Sequence, residues 1–433
     1  MTDIETDIVD LSHDGRGVAR LAGKATFVPG ALPGERVRLG RVQRHRHYDQ
    51  AQLLEVLQPS PDRVAPPCPH FGHCAGCVLQ HLAPAAQIAA KQRVLAENLE
   101  RIGKVAPARW LPPLVDDAWA YRRKGRLSVR HVEKKGRVLV GFREENPRFV
   151  ADLARCPVLA PPFGELVTPL AQLIGAMHAV QAIPQVEFVR GDDRAALVLR
   201  HLVPLDDADR ARLAAFADAH ALAMWLQPGG PDSLQPLRPQ DAGGLAYRID
   251  EGAVEIVFGP LDFIQVHAAL NRRMLAQALA LADPRPHERV LDLFAGLGNF
   301  TLPLARRAAD VVGVEGEAGL VARAQGNAAH NGLAQARFHV ADLFQDQRHA
   351  PWAQAPWDLI VLDPPRAGAA EVLAYLPTPA TTRVLYVSCH PGSLARDAAL
   401  LVHGHGFRLA AAGVMDMFPH TAHVESMALF ERS

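Results

Sequence analysis

The chain has 433 residues, 49% of them hydrophobic, with 46 basic side chains set against 46 acidic ones. That length supports two to four domains of roughly 150 residues each. The balanced charge excludes a globally basic nucleic-acid binder, so any basic footprint is local. The polar, acidic start MTDIETDIVDLSHDG and the lack of any run of about 18 apolar residues speak against a signal peptide and a membrane span.

Residues 1–58 have apolar runs of strand length punctuated by Gly and Pro. In ERVRLGRV, Val37 and Leu39 alternate with Arg36 and Arg38, the period of a half-buried strand. Arg41, Arg44 and Arg46 follow, with Tyr48 close behind. A small barrel with basic strands and an aromatic is a platform for RNA, or a charged edge that deters aggregation.

PSPDRVAPP is a linker by composition and leads into CPHFGHCAGCVLQHL. Cys68, Cys74 and Cys77 have the spacing C-x5-C-x2-C, and Cys156 lies far downstream. Five cysteines do not make a disulfide framework in a chain this long; they fit a reducing, cytoplasmic setting. Four thiolates can hold tetrahedral zinc or a 4Fe-4S cluster, and the spacing leaves both open. His70, His73 and His81 stand nearby and are expected on the surface. Residues 84–102 follow a helical pattern. AYRRKGRLSVR and VLVGFREENPRFVADL suggest basic strands of a mixed central region, residues 59–259, in which part of 84–120 can pack on the next domain.

From residue 260 to 433 the fold class is α/β. Strand candidates RVLDLF, DVVGVEG, ARFHVAD, WDLIVLD and RVLYVSC alternate with helical stretches such as NFTLPLARRA and GLVARAQGNAAHNG. That rhythm predicts an open parallel sheet with helices on both faces. Gly296 and Gly298 form a turn after the first strand, without the third glycine of a dinucleotide fingerprint. Glu315 ends the next strand, nineteen residues beyond Gly296, where an acid can accept both ribose hydroxyls. Asp342 and Asp363 end the following two strands, Asp342 placed for an adenine amino group. Singly each acid is an ordinary cap or loop charge; four features in register at strand carboxyl ends point to a ligand.

This series resembles the class I S-adenosylmethionine-dependent methyltransferases, a Rossmann-like fold. LDPPRAG, YVSCHPGSLARD, LDFIQVHAALNRRM and HVESMALFER sharpen the resemblance to the RNA uracil-C5 methyltransferases, which make 5-methyluridine. The resemblance implies Cys389 as the nucleophile that adds to uracil carbon 6, Glu425 as the base for the carbon-5 proton, and Asp363 near both donor and uracil. It implies Gln265, Phe294 and Asn299 as further cofactor contacts. Phe263, two residues before Gln265 on the same strand face, is expected to stack on a base.

In the 23S ribosomal RNA branch of the family a 4Fe-4S cluster accompanies this cysteine pattern, and residues 1–58 are similar to its OB-like TRAM barrel. The expected partner is 23S ribosomal RNA, free or in an assembling large subunit, bound by a monomer with no obligate protein partner. Arg122, Arg123 and Arg126 join the barrel arginines as expected RNA contacts. Alternatives are the same chemistry on transfer RNA or a second 23S site, a non-catalytic RNA-binding iron–sulfur protein, and an amino-nitrogen methyltransferase using DPP. The last needs no thiol, so Cys389 speaks against it.

Overall fold

The computed structural model of the chain describes residues 4–432. Six short strands open it: β1 Ile4–Asp7, β2 Asp10–Leu11, β3 Gly17–Leu21, β4 Lys24–Val28, β5 Arg36–Arg44 and β6 Asp49–Gln58. They form one sheet, β1-β5-β6-β4-β3-β2, curled around Ile8, Ala19, Val28, Val37, Leu39 and Ala51. Val37 and Leu39 face inward, as their alternation predicts, and register shifts between β5 and β6 bend the pair.

Helix α1 (Pro84–Asn98) starts on a proline, whose missing N–H costs nothing at the first turn. Its buried face carries Gln87, Lys91 and Leu95 at four-residue spacing, so two of three inward groups are polar anchors. Leu95 and Leu99 pack beside Leu394, Ala395 and Ala398 of the C-terminal region. Beyond them, β7 (Arg109–Trp110) pairs with a C-terminal strand, described below.

The central sheet holds β8 Lys124–Val132, β9 Arg137–Gly141, β10 Gln185–Arg190, β11 Ala195–Arg200, β12 Leu222–Gln227 and β13 Gln235–Pro236. Its order is β13-β12-β11-β10-β8-β9. Helices α2 (Val167–Gly175) and α3 (Asp207–Ala219) cover Leu127, Phe188 and Leu197. The hairpin β14 (Leu245–Ile249) and β15 (Val254–Phe258) follows. Although it lies within 59–259, it packs on the C-terminal region. Asn327 and Asn331 of that region accept from the Val257 and Glu255 amides, each at 2.9 Å.

The last region runs α4 Ala268–Ala282, β16 Arg289–Leu293, α5 Thr301–Ala305, β17 Asp310–Glu315, α6 Ala318–His330 and β18 Ala336–Val340. After these come β19 Leu359–Leu362, β20 Arg383–Ser388, β21 Arg408–Met415 and β22 Glu425–Glu431. The eight-stranded sheet has the order β18-β17-β16-β19-β20-β22-β21-β7. Five strands are parallel, as the alternation predicts. The open parallel sheet needs one correction: β22 enters antiparallel beside β20, with β21 antiparallel to it and β7 beyond. The chain reaches β22 from β21 through the connection 416–424 alone, with no crossover helix, and a strand returning so directly must run antiparallel.

Candidate active site

The carboxyl ends of β16, β17, β19 and β20 surround a cavity of about 600 Å³. All ten of the cofactor and catalytic positions expected from sequence, Phe263 included, line it: Phe263, Gln265, Phe294, Gly296, Asn299, Glu315, Asp342, Asp363, Cys389 and Glu425.

At one end lies the glycine turn. Gly296 has φ 54° and nothing within 4 Å of where a Cβ would stand, so its backbone is open to a ligand. Gly298, at φ 91°, serves packing instead, because a Cβ there would meet Leu302 Cγ at 3.0 Å. Phe294 also takes a left-handed conformation, φ 64°, which a bulky side chain rarely adopts. Its ring stands 5.9 Å from that of Phe344, and the two frame one wall. Phe344 was not anticipated; it sits in VADLF just past Asp342, whose carboxylate accepts its amide at 3.0 Å.

Two expected cofactor contacts are already engaged. Glu315 accepts from the Gly296 amide at 3.0 Å and from Gly316 and Glu317 at 2.7 and 3.1 Å. A carboxylate has about four lone-pair directions, so one is left for ribose rather than two. The Asn299 carboxamide exchanges hydrogen bonds with Asn271 of α4 at 3.1 and 3.0 Å and accepts from the Tyr247 hydroxyl at 3.1 Å. It fixes the turn to its neighbours: its oxygen accepts two hydrogen bonds and its nitrogen donates one, which leaves one N–H for a ligand. Phe263 and Gln265 lie on an irregular segment, not on a strand face, and Phe263 is 69% exposed at the rim.

At the other end are the thiol and the acids. β20 is a run of buried residues that stops where the Ser388 hydroxyl accepts the His390 amide. Ser388 pairs with Ser426 of the antiparallel β22, so the next step along the ladder sets Cys389 across from Glu425. The strand that broke the parallel pattern is thus the one that carries the acid to the thiol. Asp363 follows β19 next door.

Burial raises all three groups. The Cys389 thiol goes up to about 11, pushed by burial and then by the charges of Glu425 and Asp363, with Arg366 opposing. Burial and the Glu425 charge hold the Asp363 carboxyl well above the usual carboxylate range. Burial likewise raises Glu425, against hydrogen bonding from His423 and the charges of Lys91 and Arg366. Arg366, His423 and Phe418 also line this end and were not anticipated. Arg366 could have been found as the residue after the DPP turn, and His423 as the residue two before Glu425.

Cys68, Cys74, Cys77 and Cys156 line a separate cavity of about 200 Å³ together with His70, Tyr121 and Arg122. Burial pushes the thiols of Cys74 and Cys77 up to about 11 and about 12, and the other thiols of the set add to it. His70 accepts the Ala154 amide at 3.2 Å. His81, expected on the surface, is buried at 1% exposure against the Phe71 ring. Among the described residues neither ring nitrogen has a hydrogen-bond partner, and burial holds the imidazole down to about 4, so it is neutral.

The six arginines divide. Arg41, Arg44 and Arg46 are exposed on β5 and the turn after it. Arg126 is exposed but ion-paired with Glu187 at 2.9 Å. Arg122 is half-buried between the cysteine cavity and the Phe418 ring, 5.9 Å away. Arg123 does not reach the surface: it is buried, lies 4.5 Å over the Tyr247 ring and donates to the Gln265 carbonyl at 2.9 Å. Alternation along β8 and its approach turns Arg123 inward and Arg122 aside, which a run of adjacent arginines conceals.

The whole chain has the fold of the Pyrococcus abyssi tRNA (uracil-54, C5)-methyltransferase in complex with S-adenosyl-L-homocysteine. The TM-score is 0.77 at 22% identity, covering 98% of this chain and 99% of that one. Residues 255–433 match the tRNA (Uracil-5-)-methyltransferase family, and residues 4–61 match the TRAM domain of tRNA (uracil(54)-C(5))-methyltransferase. The C-terminal region is therefore a Rossmann-like methyltransferase domain, joined to an N-terminal TRAM domain. Relatives named 23S rRNA (uracil(1939)-C(5))-methyltransferase RlmD are 60% identical in Xanthomonas euvesicatoria and 59% in Stenotrophomonas maltophilia, each over 100% of this chain and 98% of its own length. The chain belongs to the RlmD family of 23S rRNA (uracil-C5)-methyltransferases.

Proposed function

We propose that the protein transfers a methyl group from S-adenosylmethionine to carbon 5 of a uridine in 23S ribosomal RNA, with Cys389 as nucleophile and Glu425 as base. The observation that carries the chemistry is the register that sets Cys389 across from Glu425 at the end of the cavity opposite the glycine turn. Carbon 5 of uracil is a poor nucleophile. Addition of the Cys389 thiolate to carbon 6 turns the ring into an enolate, and carbon 5 then takes the methyl group. Glu425 removes the carbon-5 proton; that electron pair re-forms the ring double bond and expels the thiolate.

S-adenosylmethionine, when bound, supplies the methyl group. The open backbone of Gly296, the remaining lone pair of Glu315, and Asp342, Phe294, Phe344 and Gln265 suit its adenosine and amino-acid parts. Asp363, beside Cys389 and Glu425 at the thiol end, suits a place near both the methyl donor and the uracil. Phe263 at the rim suits base stacking, and Arg41, Arg44 and Arg46 suit phosphates. Residues 1–58 act as the RNA-binding barrel, 59–259 as the central domain and 260–433 as the catalytic domain, which takes in α1, β7 and the β14–β15 hairpin by packing. No helix among the described residues is long and apolar enough to cross a membrane. The reading places the enzyme in the cytoplasm with its RNA, working as a monomer.

The four cysteines suit a 4Fe-4S cluster. Tetrahedral zinc with bonds of about 2.3 Å needs sulfurs about 3.8 Å apart. No three of these sulfurs lie within 4.8 Å of one another, although all four line one cavity. A cluster carries each thiolate on a separate iron and so spaces them further. Bound metal would also deprotonate thiols that burial otherwise keeps neutral. Its part is to fix the loop, because methyl transfer involves no redox step. Anaerobically purified protein is expected to carry about four irons per chain; one zinc and no iron overturns this assignment.

The test of the whole reading is incubation with a 23S fragment containing 5-fluorouridine and S-adenosylmethionine. Fluorine blocks proton removal, so a stable protein–RNA adduct through Cys389 is expected. Absence of that adduct contradicts the reading.

A further inference from the structure

Glu425 is only 9% exposed, and two further groups that burial keeps neutral, Asp363 after β19 and Cys389 after β20, share its end of the cavity. A carboxyl so placed tends to hold its proton and is then useless as a base. Cations nearby do not touch it. Lys91 of α1 is committed to Asp416 at 2.6 Å and the Phe418 carbonyl at 3.0 Å. Arg366 stops one group short: its Nη2 is 3.1 Å from His423 Nδ1, while His423 Nε2 is 3.1 Å from Glu425 Oε1.

This chain of contacts has one consistent protonation. A guanidinium only donates, so His423 Nδ1 must accept. The proton of the neutral ring then lies on Nε2, facing the carboxylate. Protonating Nδ1 would set one N–H against another. The ring is held edge-on to Phe418 at 4.7 Å, and the His423 amide donates to the Thr421 hydroxyl at 3.2 Å. His390 is the further titratable group that faces this pair, through space.

We infer that His423, locked by Arg366 with its proton on Nε2, is a positioning residue that keeps the Glu425 carboxylate ionised and aimed into the cavity. The inference rests on Glu425 being the base. In the step it serves, the carbon-5–hydrogen bond breaks and the proton goes to Glu425. The freed pair forms the carbon-5–carbon-6 double bond, and the sulfur–carbon-6 pair returns to Cys389. His423 neither gains nor loses a proton.

The test compares His423→Phe, which keeps a ring against Phe418 but has no donor, with His423→Gln, whose amide nitrogen can stand near Nε2. Adduct formation is followed on 5-fluorouridine RNA, and adduct resolution on ordinary uridine RNA from pH 6 to 9. His423→Phe is expected to form the adduct at the normal rate. Its resolution limb moves at least one pH unit alkaline, so that resolution at a pH on the acid side of the limb falls about tenfold or more, and His423→Gln recovers most of the loss. An unmoved limb in His423→Phe overturns the inference, as does a pH-independent loss that Gln does not restore. If the unaltered enzyme forms no adduct with 5-fluorouridine RNA, the reading of the thiol and base fails first, which is a distinguishable result.

Discussion

The amide of Leu79, two residues past Cys77, donates to the carbonyl of His420 at 3.0 Å. The Val78 amide donates to the same oxygen at 2.9 Å, and His420 sits at φ 65° to present it. Gln87 of α1 closes the junction: its Oε1 accepts the His420 amide at 3.0 Å, and its Nε2 donates to the Leu79 and Leu82 carbonyls at 2.9 and 2.8 Å. The cysteine loop is thereby tied to the segment 416–424 that delivers Phe418, His423 and Glu425. If the four cysteines hold the proposed cluster, removing it with chelator is expected to make 416–424 sensitive to protease while the barrel stays resistant. Gln87→Leu leaves three buried backbone groups short of a partner and is expected to cost about 1–3 kcal/mol in denaturant unfolding. An apo-protein whose 416–424 segment stays protected contradicts the link.

The Cys389 thiol, raised to about 11 chiefly by burial, is protonated at neutral pH in the RNA-free protein. Alkylation of Cys389, read by peptide mapping, is expected to be slow at pH 7 and to rise about tenfold per pH unit towards the raised value. Arg366→Ala removes the cation that opposes the rise, so alkylation at a given pH slows further. A pH-independent rate rules out this account of the thiol.

The two turn glycines are expected to fail differently. Gly296→Val strains a φ of 54° and also puts a side chain where the backbone is open to ligand, so besides losing stability it lowers S-adenosylhomocysteine affinity in calorimetry by on the order of tenfold or more. Gly298→Ala strains a φ of 91° and presses on Leu302, so it lowers stability by about 1–3 kcal/mol.

Removing Arg41, Arg44 and Arg46 together is expected to flatten the salt dependence of RNA binding by roughly 0.7 per charge, about 2 in all. Arg123→Met leaves that slope unchanged, because the guanidinium is sealed over Tyr247.

Much of the site was legible because strand carboxyl ends can be read from apolar runs: Gly296, Glu315, Asp363 and Cys389 each follow one. Glu425 was legible only through its family resemblance, since nothing local shows that β22 runs antiparallel beside β20. Arg123 misled because a cation is ordinarily outside, and its partners, Tyr247 and the Gln265 carbonyl, lie more than a hundred residues away. His81 misled for a different reason: its imidazole is buried and neutral, packed on the Phe71 ring ten residues before it, whereas a polar ring is ordinarily outside. The Arg366–His423–Glu425 chain depends on a contact between two loops, which no periodicity records.

The central claim is that Cys389 forms the covalent link and Glu425 is needed only to resolve it. Denaturing gels with ordinary uridine RNA and methyl-labelled donor separate the two steps most directly. Glu425→Gln is expected to methylate once and stall as a slow, labelled protein–RNA band, and Cys389→Ala to give no band and no methylation. Turnover at the normal rate by Glu425→Gln, or any adduct formed by Cys389→Ala, contradicts the account.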